Sequence, residues 1–161
     1  MENDSEQKTY FDLVGFIDSE IKYMEAQNLT VFKTVKINEE IEELESTDID
    51  WAKELEIIKQ ADLNKAAFKL SYDISETDTL ISYKLKQGEK LPVSLVTIQK
   101  DKNGVVVEIE SKYHTENYLY NSSKTAILHL KNGHLKSYSM IGWQELFIGS
   151  RKNFEVTGVV Q

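Results

Sequence analysis

Three histidines, His114, His129 and His134, fall in a stretch that also carries Glu108, Glu110 and Glu116. Imidazole with carboxylate is the ligand chemistry of zinc and similar cations. If Asn132-Gly133 forms a two-residue hairpin turn, Lys131 opposes His134 and His129 opposes Lys136, which sets both rings among ammonium groups on one face. That setting repels a cation, so the histidines read as exposed surface residues and no metal ligand is assigned. A run of carboxylates, Glu39, Glu40, Glu42, Glu43, Glu45, Asp48 and Asp50, has the oxygens that Ca²⁺ prefers. It lacks the acidic-x-acidic-x-acidic-Gly loop that turns such a series onto one ion, and reads as a solvated face with helix capping.

The chain has no cysteine, so it has no thiol nucleophile, disulfide or thiolate metal site. Its serines sit in no Gly-x-Ser-x-Gly elbow, and neither a Gly-x-Gly-x-x-Gly nor a phosphate loop ending in Gly-Lys-Ser/Thr occurs. No catalytic residue and no cofactor are therefore assigned. The 27 acidic residues leave open a carboxylate-dependent hydrolase of envelope polymers, since two Asp or Glu on adjacent strands can reach the separation that glycoside hydrolysis needs.

The second half concentrates aromatic residues: Tyr113, Tyr118, Tyr120, Tyr138 and Trp143. On an open sheet face such rings stack on sugars or line a groove for an apolar ligand, with few rotors to freeze. They are the ligand-binding candidates, although aromatics are also ordinary constituents of a sheet. A lipid-binding half-barrel is a further alternative and requires a continuous apolar concavity that no helix covers.

The elements that must position these side chains divide the chain in two. Residues 1–66 hold 17 acids against 7 bases and carry helical periodicity, whereas residues 67–161 hold 10 acids against 12 bases and alternate with period 2. The formal charges are −10 and +2, which give the net −8. Tyr10, Leu13, Val14, Ile17, Ile21 and Met24 share one stripe of a helix predicted over 8–26. Residues 30–37 and 40–45 form a predicted hairpin about Asn38-Glu39. A second helix runs from Ser46 to Leu63, with Thr47 and Asp50 as a capping box and Trp51, Leu55 and Ile58 on its apolar face.

From Ala67 onward Phe68, Leu70, Tyr72 and Ile74 alternate with polar residues, and further strands are predicted at 81–85, 93–99, 105–113, 125–131, 134–141 and 154–160. Asn103-Gly104 and Asn132-Gly133 are hairpin turns. The expected fold is a single α+β domain over 1–161. It has a polar leader (1–7), a helical acidic segment (8–66) and an antiparallel sheet (67–161). The two helices and the intervening hairpin pack on a curved antiparallel meander of about seven strands.

Net charge −8 opposes phosphate backbones and the basic residues form no cluster, so nucleic acid is not an expected partner. No run of about 18 apolar residues occurs. The polar, acidic start resembles the spacer behind a cleaved export signal and equally a frayed native terminus.

Residues 8–13 (Lys-Thr-Tyr-Phe-Asp-Leu), 29–35 (Leu-Thr-Val-Phe-Lys-Thr-Val), Asp50-Trp51 and 61–68 (Ala-Asp-Leu-Asn-Lys-Ala-Ala-Phe) resemble, in order and spacing, a family of small lipoproteins of Bacteroidetes-type bacteria. These pieces cover less than half of the chain. The resemblance implies a precursor lipidated at a cysteine just upstream of residues 2–7, with a domain facing the periplasm or the cell surface and reaching the membrane only through that anchor. The family offers no reaction, ligand or catalytic residues to carry over. Together these readings point to a noncatalytic cell-envelope module that binds a glycan, lipid or protein through its sheet face.

Overall fold

The alternating pattern of the second half resolves into seven strands: β3 (Tyr72–Glu76), β4 (Leu80–Leu85), β5 (Val93–Lys100), β6 (Val106–Glu116), β7 (Tyr120–Lys131), β8 (His134–Leu146) and β9 (Lys152–Val160). Each pairs antiparallel with the next. The computed structural model describes residues 8–161, so the expected leader over 1–7 lies outside the described residues. The hairpin of β1 (Val31–Ile37) and β2 (Glu40–Ser46) does not pack on this meander. It extends it: β1 pairs with β9 from Val31–Val160 to Ile37–Phe154. Among the described residues the sheet therefore has nine strands, in the order β2-β1-β9-β8-β7-β6-β5-β4-β3, and not about seven. Main-chain pairing at the free edge of β9 explains the difference, since an open edge accepts another strand wherever one is in register.

Positive φ at Asn132 and Gly133 (55° and 81°) makes the β7–β8 turn the tight one its sequence predicts. At the β5–β6 connection Asp101 Oδ1 accepts from the amides of Asn103 and Val105, and Gly104 supplies φ of 81°.

Helix α1 (Leu13–Glu25) buries Leu13, Ile17, Ile21 and Met24, the expected stripe, and each such side chain contributes about 1.5–3 kcal/mol by leaving water. The helix begins later than the predicted residue 8. Asp12 caps it by accepting from the Gly15 amide, while the Tyr10 amide is held by Asn64 Oδ1 at 2.9 Å. Tyr10 is thus a buried plug ahead of the helix, its ring edge-on to Tyr72 and Tyr83 and its hydroxyl donating to the Lys69 carbonyl.

The single second helix predicted over 46–63 is two short ones, α2 (Trp51–Glu54) and α3 (Glu56–Lys59), broken at Leu55, whose φ of −100° leaves the helical range. Thr47 and Asp50 form no capping box. β2 continues to Ser46, and Asp50 is itself the N-cap, accepting from the Lys53 amide. Trp51, Leu55, Ile58 and Ala61 nevertheless all reach the core. The strand expected from Ala67 is also corrected: Ala66–Phe68 is a 3₁₀ turn, Leu70 is solvent-exposed, and β3 starts at Tyr72.

Paired residues across an antiparallel sheet share a face, so the register assigns every side chain. Ile109, Leu128, Tyr138 and Gly158 form one buried row across β6–β9 beneath the helices. The alternate row Glu110, Ile127, Ser139, Thr157 and Thr34 lies on the opposite face, which no helix among the described residues covers. The fold is therefore α+β with one covered and one open sheet face. Among the described residues no helix is long and apolar enough to cross a membrane.

Candidate functional site

The five aromatic candidates do not share one surface. Tyr113 and Tyr138 point toward the helices and are buried. Tyr113 donates a hydrogen bond to the Ile57 carbonyl and accepts one from Ser111 Oγ at 3.0 Å, while Lys124 Nζ lies 5.6 Å from its ring centre. Burial pushes its phenol up to about 12, against the opposing pull of the Ser111 hydrogen bond. Tyr138 donates a 2.6 Å hydrogen bond to Glu54 Oε2, and burial together with that carboxylate raises its phenol far above the ordinary value. Glu54 is balanced on its other oxygen by Lys33 Nζ at 2.8 Å.

These two tyrosines therefore fasten α2 and α3 to the sheet. Tyr138 borders a cleft of about 400 Å³ that Lys33, Glu54, Ile57 and Met140 also line. Its carboxylate is already paired with Lys33 and hydrogen-bonded by Tyr138. Tyr120 starts β7 half-buried on the covered side, opposite Leu146. Tyr118 stands in the β6–β7 turn, 85% exposed.

Trp143 alone of the five lies on the open face, between Ser123 of β7 and Asn153 of β9. Next to this row run Thr125, Ile141, Glu155 and Lys36, and the two rows line a recess of about 550 Å³. Gly142 lets β8 approach β7 there: a Cβ at this position would sit 2.3 Å from the Ser123 carbonyl oxygen. The recess is bounded on one side by Asn38, whose Oδ1 accepts from the Asn153 amide at 2.9 Å and whose φ of 52° turns β1 into β2.

Arg151 stacks on the Trp143 ring with its guanidinium carbon 3.9 Å from the ring centre, and its Nε donates to Glu145 Oε2 at 3.1 Å. The carboxylate fixes the guanidinium, and the guanidinium fixes the indole. An ordered aromatic plane beside hydroxyl, amide, ammonium and carboxylate groups suits stacking on a ring-shaped polar ligand and hydrogen bonding around its rim.

Comparison with family models, with curated proteins and with solved structures returns no match for this chain.

Sequence reasoning missed Arg151, although a signal was present. It is the chain's only arginine, and a hairpin that pairs Trp143 with Asn153 brings residue 151 within reach of the indole. The histidines also sit differently from expectation. A bulge between His129 and Leu130 pairs His129 with Ser137 and not with Lys136, and Glu108 lies 3.4 Å from the His129 ring. His134 does oppose Lys131, but it is only half exposed. Its ring stacks on Tyr23 and lies 3.1 Å from the buried carboxylate of Glu20. Among the described residues no group of three His, Asp or Glu is placed to hold a metal ion.

Proposed function

We propose that this chain is a noncatalytic binding module of the bacterial cell envelope that seats a glycan on the open face of its sheet, against Trp143. The observation that carries the reading is the 550 Å³ recess in which Trp143, ordered by Arg151 and Glu145, adjoins Ser123, Thr125 and Asn153. Volumes of roughly 300–1,000 Å³ with an apolar plane and a few convergent polar groups are typical of small-ligand sites. A pyranose offers a matching pair of surfaces, an apolar face of C–H groups and a rim of hydroxyls. The envelope address rests on the lipoprotein resemblance.

The covered face supports this choice over a lipid-handling half-barrel, because side chains such as Ile98, Ile109, Leu55 and Ile58 fill the space where an acyl chain would lie. Glycan oligomers of N-acetylglucosamine and peptidoglycan fragments, screened by thermal shift, test the proposal. A bound ligand at one hundred times its Kd should stabilise the chain by about 2.7 kcal/mol. Trp143→Ala should abolish the shift. An unchanged shift in that variant, or no shift with any glycan, contradicts the reading.

A further inference from the structure

The open face continues beyond the Trp143 recess. Along β8, Trp143, Ile141, Ser139 and Ser137 alternate onto it, and Ser137 pairs with Val159 of β9, which in turn pairs with Phe32 of β1. Six residues of β8 at about 3.4 Å each carry this strip about 20 Å along the strands, and two strand spacings of about 4.8 Å carry it about 10 Å across them. Trp143 therefore stands at one corner of the strip, and Phe32, an exposed aromatic, at the opposite corner.

Between the two rings the face is hydroxylated: Ser123, Thr125, Ser137, Ser139, Thr157 and Thr34 all belong to its rows. Ile141 and Val159, both exposed, stand among these hydroxyls. Charge within the strip is confined to Glu155 and the Lys36 opposite it, with Lys136 at the β7–β8 bulge turned to the Val160 carbonyl at 2.9 Å. The bordering strands add Glu108 and Glu110 of β6, against Lys112, and Glu43 and Glu45 of β2. Strip and borders together thus hold more carboxylates than ammonium groups, and the carboxylates lie along both margins.

We infer that this strip binds a linear, uncharged glycan of several pyranose rings, which runs obliquely over β8, β9 and β1 with one ring on Trp143 and a later one on Phe32. The inference rests on the glycan reading of the Trp143 recess and extends it from a seat for one ring to a track for a chain. Charge and composition select this occupant. A polyanion, or a second copy of a chain of net charge −8, meets the carboxylates of both margins. Protein interfaces are depleted in Ser, whereas Ser123, Ser137 and Ser139 lie inside this strip. An acyl chain needs unbroken apolar surface, which the hydroxyls interrupt. A glycan chain presents C–H faces to Trp143, Ile141, Val159 and Phe32, and hydroxyls to the Ser and Thr side chains between them.

Titration of the full chain with β-1,4-linked N-acetylglucosamine disaccharide and hexasaccharide tests the track. The hexasaccharide should bind about thirtyfold more tightly, which exceeds what the larger number of registers on a longer chain supplies. Phe32→Ala, and Thr157→Gln with its longer side chain in the middle of the strip, should each lower hexasaccharide affinity about tenfold and leave disaccharide affinity unchanged. Phe32→Tyr, which keeps the ring, should retain the original affinity for both. A hexameric oligogalacturonate should bind at least about tenfold more weakly than the N-acetylglucosamine hexasaccharide. Near-equal affinity for the two N-acetylglucosamine ligands confines the site to the Trp143 recess and overturns the inference while the recess reading stands. Hexasaccharide affinity that both the Phe32→Ala and Thr157→Gln changes leave intact overturns it too, as does equal affinity for the oligogalacturonate. Binding of neither N-acetylglucosamine ligand overturns the recess reading and the track together.

Discussion

Gly158 of β9 lies directly beneath the ring of Tyr138 on β8, so close that a Cβ on residue 158 would be 2.2 Å from the ring carbon Cζ. The missing side chain is what lets the phenol lie across β9 and reach Glu54 on α2. Gly158→Ala should therefore displace the ring, weaken the Tyr138–Glu54 hydrogen bond and destabilise the fold by about 1–3 kcal/mol, read as a lower urea midpoint. Gly158→Ala combined with Tyr138→Ala should recover part of that steric loss relative to the sum of the single changes.

Glu20 is a buried carboxylate in α1 that accepts from the Leu135 amide at 2.8 Å and faces His134 at 3.1 Å. Removing the acceptor strands a buried N–H. Glu20→Ala should cost about 1–3 kcal/mol, and Glu20→Gln, which keeps a carbonyl for Leu135, should cost less. Hydrogen exchange at the Leu135 amide should accelerate more in the alanine variant than in the glutamine one.

Alkaline pH should unfold the chain through its tyrosines. Burial raises Tyr72 and Tyr113 from 10.0 to about 12 and Tyr138 further, with Tyr10 and Tyr83 moved in the same direction. Groups that hold protons more tightly when folded stabilise the protein fully below the unfolded value, and lose that contribution as pH rises through the folded one. Urea stability measured from about pH 8 to pH 11 should thus be flat at first and then fall beyond about pH 10. Tyr113→Phe should shallow the fall.

Trp51 is 4% exposed at the start of α2 and packs with the α1 stripe and Leu55. Trp51→Ala should cost about 3–5 kcal/mol in equilibrium unfolding.

The elements whose order comes from local periodicity were legible in the sequence: the α1 stripe from Leu13 to Met24, the strands of the meander, and the Asn-Gly turns. What escaped depends on contacts distant along the chain. Tyr10 fits the helical stripe, yet its amide is bound by Asn64, 54 residues away, and the helix starts after it. No glycine or proline marks the break at Leu55. The pairing of Val31 with Val160 joins strands far apart in the chain and leaves no local trace, so the sheet is larger than expected.

Legibility of the candidate site was limited in the same way. Alternation places Tyr138 and Trp143 on opposite faces of β8, but only the docking of α2 through Glu54 decides which face is covered.

The central claim, a glycan seat on the open face, is tested most directly by calorimetric titration of peptidoglycan-derived oligosaccharides into the chain and into Trp143→Ala. Saturable heat in the first and none in the second is the expected result, with the variant's stability within about 1 kcal/mol of the original. Equal heat from both proteins, or none from either, would contradict it.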